Sequence, residues 1–211
     1  VRSPITAIQG SGEVISRYPL DEARRRQLGE LVSRESQRLA VMVERFLDVE
    51  RLEAGEIEVR REPVRLSALV EQTVDRVQPL AKRKNILIRA VAASAVEAVG
   101  DAELLEFALY NLLANAVKYS PEGSSVAVAI GSDPQCGLAL LEVSDQGPGI
   151  APAERERIFE RFYRSEEARR SGEPGLGLGL SIVREIVRHH GGSIALDSKP
   201  CLLYTSPSPR D

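Results

Sequence analysis

Residues 24–54 place the tightest limit on how this chain can fold. Within them Leu28, Leu31, Val32, Leu39, Met42, Val43, Phe46, Leu47 and Leu52 recur at steps of three and four, with charged residues between them. That is the period of an amphipathic helix. Pro19 and Asp21 suit a turn before it, with Asp21 as the N-cap and Gly55 as the stop. Upstream, Ile5, Ile8, Val14 and Ile15 suggest the tail of a shorter helix, so the two read as an antiparallel helical hairpin. Stripes this broad cannot be hidden by two helices alone. Pairing with a second hairpin into a four-helix bundle is expected, and packing on the rest of the chain is the alternative. The run Arg24-Arg25-Arg26 is flanked by Asp21, Glu22 and Glu30 and reads as a solvated helix face.

After Gly55 the texture changes. Short β-branched runs (Ile57–Val59, Ile86–Val91, Val126–Ile130, Leu138–Val143, Ser193–Leu196) alternate with helical patterns at 66–83, 101–119 and 180–190, with no internal repeat. This predicts a mixed sheet with helices on one face. The expected class is therefore α+β: a helical hairpin, half of a four-helix bundle, followed by a two-layer α/β sandwich. With 43% hydrophobic and 28% charged residues the chain has the composition of an ordinary soluble globular protein. At a net charge of −3 nothing suggests a surface for nucleic acid or anionic lipid, and no nucleic-acid partner is expected. Cys136 and Cys201 form neither a disulfide framework nor a metal-ligand spacing, which fits a reducing, cytoplasmic compartment. No stretch approaches the ~18 apolar residues of a membrane span. The chain begins at Val1, in mid-pattern, so that absence says little about a longer parent.

Four local patterns then occur in order. In Asn111-Leu-Leu-Ala-Asn115-Ala-Val-Lys118-Tyr119 the residues Asn111, Asn115 and Lys118 fall at i, i+4 and i+7 and share one helix face. Leu104, Leu105, Leu109, Leu112, Leu113 and Val117 are left to pack on the sheet. Neutral oxygen donors beside a lysine suit a triphosphate carrying Mg²⁺, which keeps waters and phosphate oxygens and needs one or two protein ligands. Solvated helix amides are the alternative reading. Asp145-Gln-Gly147-Pro-Gly149-Ile150 follows a strand: its carboxylate can accept from an adenine amino group, and its glycines let the backbone approach the base. The same pattern is also common turn chemistry. Phe159-Glu-Arg-Phe162-Tyr163-Arg164 precedes the polar stretch 165–174 and fits a mobile lid with a hydrophobic foot, or a helix with a core-facing Phe pair. Gly175-Leu-Gly177-Leu-Gly179-Leu180 opens a helix, where glycine-spaced amides make an anion site for phosphates. It lacks the spacing of a dinucleotide fingerprint.

These four stretches resemble, in sequence and order, the N box, first glycine box, phenylalanine box and second glycine box of the bacterial histidine-kinase ATP-binding domain. That domain belongs to the GHKL (Bergerat) superfamily, shared with gyrase, the Hsp90 chaperones and MutL. Val1-Arg2-Ser3-Pro4-Ile5-Thr6 is similar to the end of the family's His-Glu-x-Arg-[Ser/Thr]-Pro-Leu-Thr motif, and Arg51-Leu52-Glu53-Ala54-Gly55 resembles its hairpin exit. The resemblance implies a sensor histidine kinase that moves the γ-phosphoryl group of ATP to a histidine and on to an aspartate of a response regulator. It implies Asn115 as the Mg²⁺ ligand, Asn111 beside the phosphates, Lys118 on a phosphate and Tyr119 lining the cleft. Asp145 would read adenine in a pocket shaped by Gly147 and Gly149. Gly175, Gly177 and Gly179 would close the lid over the phosphates, and Arg164 is a further phosphate-contact candidate. The implied partners are a response-regulator receiver domain and a second copy of the chain through the hairpin. The implied location is the cytoplasmic part of a protein anchored in the inner membrane by upstream segments.

The implied division is 1–55, a dimerisation and phosphotransfer hairpin lacking its start, and 56–200, a catalytic ATP-binding domain lacking its last strand. The match at Val1 places the phospho-accepting histidine upstream, and Ser3 falls in a slot used by phosphatase-competent kinases to orient water. Leu176 stands where the family often has Ser or Thr. Residues 201–211, Cys-Leu-Leu-Tyr-Thr-Ser-Pro-Ser-Pro-Arg-Asp, match codon for codon the translation of a transposon-end sequencing adapter, with a natural proline-rich tail as the alternative. On that reading a closing strand is replaced and a sheet edge exposed. His189 and His190, before Gly191-Gly192, read as a helix C-terminus where a cation suits the dipole, not as phosphorylated residues. Two other functions stay open: a nucleotide-binding regulatory module, or another ATPase or serine kinase of the superfamily.

Overall fold

The computed structural model describes residues 4–54, 59–92, 96–133, 138–173 and 175–197. The expectations for Ser3, for most of Ile57–Val59 and for residues 201–211 lie outside them. The chain divides into two compact units, Val1–Arg51 and Leu52–Asp211.

The first unit holds helices α1 (Pro4–Arg17) and α2 (Glu22–Glu53), joined by the short link at Tyr18–Asp21. Asp21 starts α2 as read from the sequence: its Oδ1 accepts the Arg24 N–H at 2.6 Å, satisfying one of the open donors of the first turn. Among the unit's described side chains only Ser11 and Leu28 are buried. Val43 and Leu47, one turn apart on the apolar stripe, stay 49% and 46% exposed.

The second unit carries strands β1 (Glu62–Arg65), β2 (Leu87–Ala92), β3 (Glu97–Gly100), β4 (Ser125–Asp133) and β5 (Leu138–Ser144). Its helices are α3 (Leu66–Arg83), α4 (Ala102–Tyr119), α5 (Glu166–Arg170) and α6 (Gly179–His189). Strand β2 runs parallel to β4, and β4 pairs antiparallel with β5, so the predicted mixed sheet is present with order β2-β4-β5. A two-stranded antiparallel ribbon, β1 with β3, stands beside it.

One sheet face is buried through Val126, Val128 and Ile130 of β4, each at most 4% exposed, with Leu141 and Val143 of β5 beside them. The helices cover it with Leu69, Val70, Val77 and Ala81 of α3 and Leu109, Leu113, Ala116 and Val117 of α4. Burying a Val, Leu or Ile fully is worth about 1.5–3 kcal/mol, so these side chains dominate the unit's stability. Helix α6 adds Ile182, Val183 and Ile186, each fully buried. The opposite sheet face leaves Leu87, Val91, Leu138 and Leu140 more than half exposed.

Helix α4 starts at Asp101, whose Oδ1 accepts from the N–H groups of Glu103 and Leu104 at 3.0 and 3.2 Å, while Oδ2 accepts from Arg60 N–H at 3.2 Å. Four elements differ from the sequence reading. Strands β1 and β3 are additional, and so is the short helix α5 within the stretch read as a polar lid. Residues 193–197 form no ladder: half-buried Ile194 and Leu196 alternate with exposed Ser193 and Ala195, but no described strand pairs with them. A strand exists only with a partner, which local alternation cannot supply.

Candidate functional site

The last turns of α4 organise the site. Asn111 is buried at 6% exposure, and its Nδ2 donates to the Phe107 carbonyl at 2.8 Å, which locks the amide and turns its oxygen outward. Asn115 and Lys118 follow on the same face, half-buried. The lysine ammonium lies 4.8 Å from the centroid of the Tyr119 ring.

The glycines fall against this face one after another. A β-carbon at Gly179, the first residue of α6, would lie 3.1 Å from Asn111 Oδ1 and 3.7 Å from Asn115 Nδ2. One at Gly175 would lie 2.7 Å from Lys118 Nζ and 3.9 Å from the Tyr119 hydroxyl. One at Gly147 would lie 2.8 Å from Asp145 Oδ1 and 3.3 Å from the Tyr119 carbonyl oxygen. The stretches around Asn115, Asp145 and Gly175 are far apart in sequence and meet at one place. Asp145 is exposed after β5, and its Oδ1 accepts the Gly147 N–H at 2.7 Å, closing the turn; Gly149 follows with φ +74°.

The lid segment is tied to the same loop. The Phe162 N–H donates to the Gly177 carbonyl at 2.9 Å, and a β-carbon at Gly177, φ +71°, would lie 2.5 Å from the Tyr163 carbonyl oxygen. Phe162 itself adopts φ +62° and is 53% exposed. Of the two Phe residues expected to form the foot, Phe159 is half-buried and Phe162 is exposed, while Ile158, Ala168 and Leu178 are the buried side chains here. Tyr163 donates its hydroxyl to Glu154 Oε1 at 2.7 Å, and the same oxygen accepts the Glu166 N–H at 3.0 Å. That carboxylate holds the phenol above its ordinary 10.0. Arg164 donates through Nη2 to the carbonyls of Ala168 and Glu173, so here its guanidinium braces the lid itself.

Two supports were not legible beforehand. Lys84, following α3, donates from Nζ to the carbonyls of Val117, Lys118 and Ser120 at 3.3, 2.7 and 2.8 Å. It thereby satisfies the open C-terminus of α4 just where Lys118 and Tyr119 sit. Gln146 Oε1 accepts the Ser125 N–H at 2.9 Å and anchors the glycine turn to β4. A basic residue past a helix end was the available signal for Lys84; its partners belong to another helix.

No group of three or more His, Cys, Asp or Glu that could hold a metal occurs among the described residues. The donors at the site are neutral amides with one lysine. Such a set fits Mg²⁺ only as part of a phosphate complex, with one amide oxygen from the protein and the rest from phosphate and water. No helix among the described residues is long and apolar enough to cross a membrane.

Comparison with known proteins gives two family matches. Residues 100–207 match the family described as histidine kinase-, DNA gyrase B-, and HSP90-like ATPase, and residues 1–55 match the His Kinase A (phospho-acceptor) domain. The sensor-like histidine kinase SenX3 of Mycobacterium tuberculosis is 35% identical over 201 residues, covering 95% of this chain and 48% of the relative. The chain thus spans about half the length of the curated relatives it matches. The solved mycobacterial sensor histidine kinase MprB is 39% identical over 62% of this chain and 80% of that one, with a TM-score of 0.54. Full-length ShkA, solved in complex with AMPPNP, is 29% identical with a TM-score of 0.68, covering 90% of this chain and 39% of that one.

Proposed function

The chain belongs to the histidine kinase-, DNA gyrase B- and HSP90-like ATPase family, in its sensor histidine kinase branch, and from that premise we propose that it transfers the γ-phosphoryl group of Mg²⁺-ATP to a histidine. The single observation that carries this reading is the convergence of Gly147, Gly175 and Gly179 on the Asn111–Tyr119 face of α4. The AMPPNP complex of ShkA supports a nucleotide as the ligand.

In the proposed complex the exposed carboxylate of Asp145 accepts from the adenine amino group, with Gly147 and Gly149 bringing the backbone up to the ring. Tyr119 lines the cleft. Lys118 and the amides of Gly175, Gly177 and Gly179 receive the phosphates, and Asn111 lies beside them. Asn115 would hold the Mg²⁺, which when bound offsets phosphate charge. The lid at 159–174 excludes water until the acceptor docks. The imidazole nitrogen then forms a bond to the γ-phosphorus, the bond to the β,γ-bridging oxygen breaks, and ADP leaves with that electron pair. The chain's contribution is positioning and charge neutralisation.

The two histidines of the sequence, His189 and His190, both lie at the end of α6. The acceptor imidazole is thus supplied from outside these residues, and we assign it to a hairpin of the 1–55 type. That hairpin pairs two copies of the chain and receives the receiver domain of a response regulator, to whose aspartate the phosphoryl group passes. A membrane anchor belongs to segments beyond this sequence. The test is incubation with radiolabelled ATP, Mg²⁺ and a histidine-bearing hairpin. Acid-labile, alkali-stable label on the hairpin is expected, and no label above a sample lacking this chain contradicts the reading.

A further inference from the structure

We infer that His190 is a positioning residue for the phosphate end of the site, acting through helix α6; the inference rests on the nucleotide reading above. Both ring nitrogens are used. Nε2 lies 2.9 Å from the backbone nitrogen of Asp101 and accepts its N–H, so it carries no proton. Nδ1 lies 2.7 Å from the Ile186 carbonyl oxygen and donates to it. Only the neutral Nδ1–H tautomer satisfies both partners. At the end of α6 the ring thus bonds both a last-turn carbonyl of its own helix and the backbone donor of Asp101.

The ring sits directly on the chain at Gly100, where a β-carbon would lie 2.6 Å from Cδ2 and 2.9 Å from Nε2. Asp101 is in turn the N-cap of α4. The imidazole therefore fastens the C-terminus of α6 to the start of α4. At its other end α6 begins with Gly179, against Asn111 and Asn115 near the end of α4. Between the two ends α6 packs on α4, and its Ile182, Val183 and Ile186 are fully buried. Apolar burial is non-directional and tolerates axial slip, whereas two hydrogen bonds from a rigid ring fix a length. A helix is stiff over three turns, so a slip at His190 is delivered to the amides at Gly179. Misplacement there by roughly 1 Å is enough to impair catalytic geometry.

The test uses the full chain and three variants. His190→Gln offers a carbonyl that can reach the Asp101 N–H. His190→Leu offers nothing, and His190→Asn keeps a group near Ile186 but is too short for Asp101. Affinities for a non-hydrolysable ATP analogue with Mg²⁺ and for adenosine alone are measured by calorimetry on samples with verified cooperative unfolding. Loss of the bond in His190→Leu is expected to weaken the analogue by roughly 3- to 10-fold and leave adenosine within about twofold, the span of one hydrogen bond. His190→Gln should restore the wild-type ratio. If His190→Leu does not fold, His190→Asn against His190→Gln reads the same contrast. An unchanged ratio in Leu or Asn, or equal weakening of both ligands, overturns the inference and leaves the proposed function standing. A wild-type chain that binds neither ligand removes both.

Discussion

At the scale of the residue, Asp145 combines two roles on one carboxylate. Oδ1 closes the turn by accepting the Gly147 N–H at 2.7 Å, and the residue is exposed. Asp145→Asn keeps an oxygen for the turn and removes the charge. Its thermal unfolding should match wild type, while ADP affinity falls roughly 10- to 100-fold, the loss of one charge-assisted hydrogen bond of about 1.5–3 kcal/mol; calorimetry with ADP checks it. Asn111, Asn115 and Lys118 were legible because helical spacing alone puts them on one face. Lys84 was not, since its partners are backbone carbonyls, which look the same for every residue.

At the scale of the element, the loop from Phe162 to α6 depends on backbone conformations that side chains resist. Gly177 combines φ +71° with a β-carbon site 2.5 Å from the Tyr163 carbonyl oxygen, whereas Gly172, φ +68°, has nothing within 4 Å. Gly172→Ala should cost about 1–2 kcal/mol from the left-handed conformation alone. Gly177→Ala should cost more than that and should also lower nucleotide affinity, because the Phe162–Gly177 hydrogen bond must shift. Paired denaturant titrations and ADP binding measure both. The long helices were readable from period, and Asp21 from capping chemistry; the cap at Asp101 came only with the structure. Strands β1 and β3 were not: four residues such as Glu62-Pro-Val-Arg65, with one buried side chain, hold too little alternation to register. Phe162 misled because aromatic character suggests burial, yet its left-handed backbone turns it to solvent.

At the scale of the whole molecule, the hairpin stripe read from residues 24–54 is only partly covered among the described residues: Leu28 is buried, while Val43 and Leu47 are about half exposed. Two copies pairing along α2 would bury it. Sedimentation equilibrium should give twice the chain mass for wild type, and the chain mass for Val43→Glu/Leu47→Glu with helix content retained. The central claim concerns the other unit: one nucleotide is gripped together by the amide face of α4, the carboxylate after β5 and the glycine loop before α6. Its most direct test is a calorimetric titration of the folded chain with ADP, with and without Mg²⁺. The account predicts saturable one-to-one binding that weakens without the metal, and no binding of Mg²⁺ by itself. A cooperatively folded sample that gives no heat with Mg²⁺-ADP, or that binds Mg²⁺ equally well without nucleotide, would contradict it.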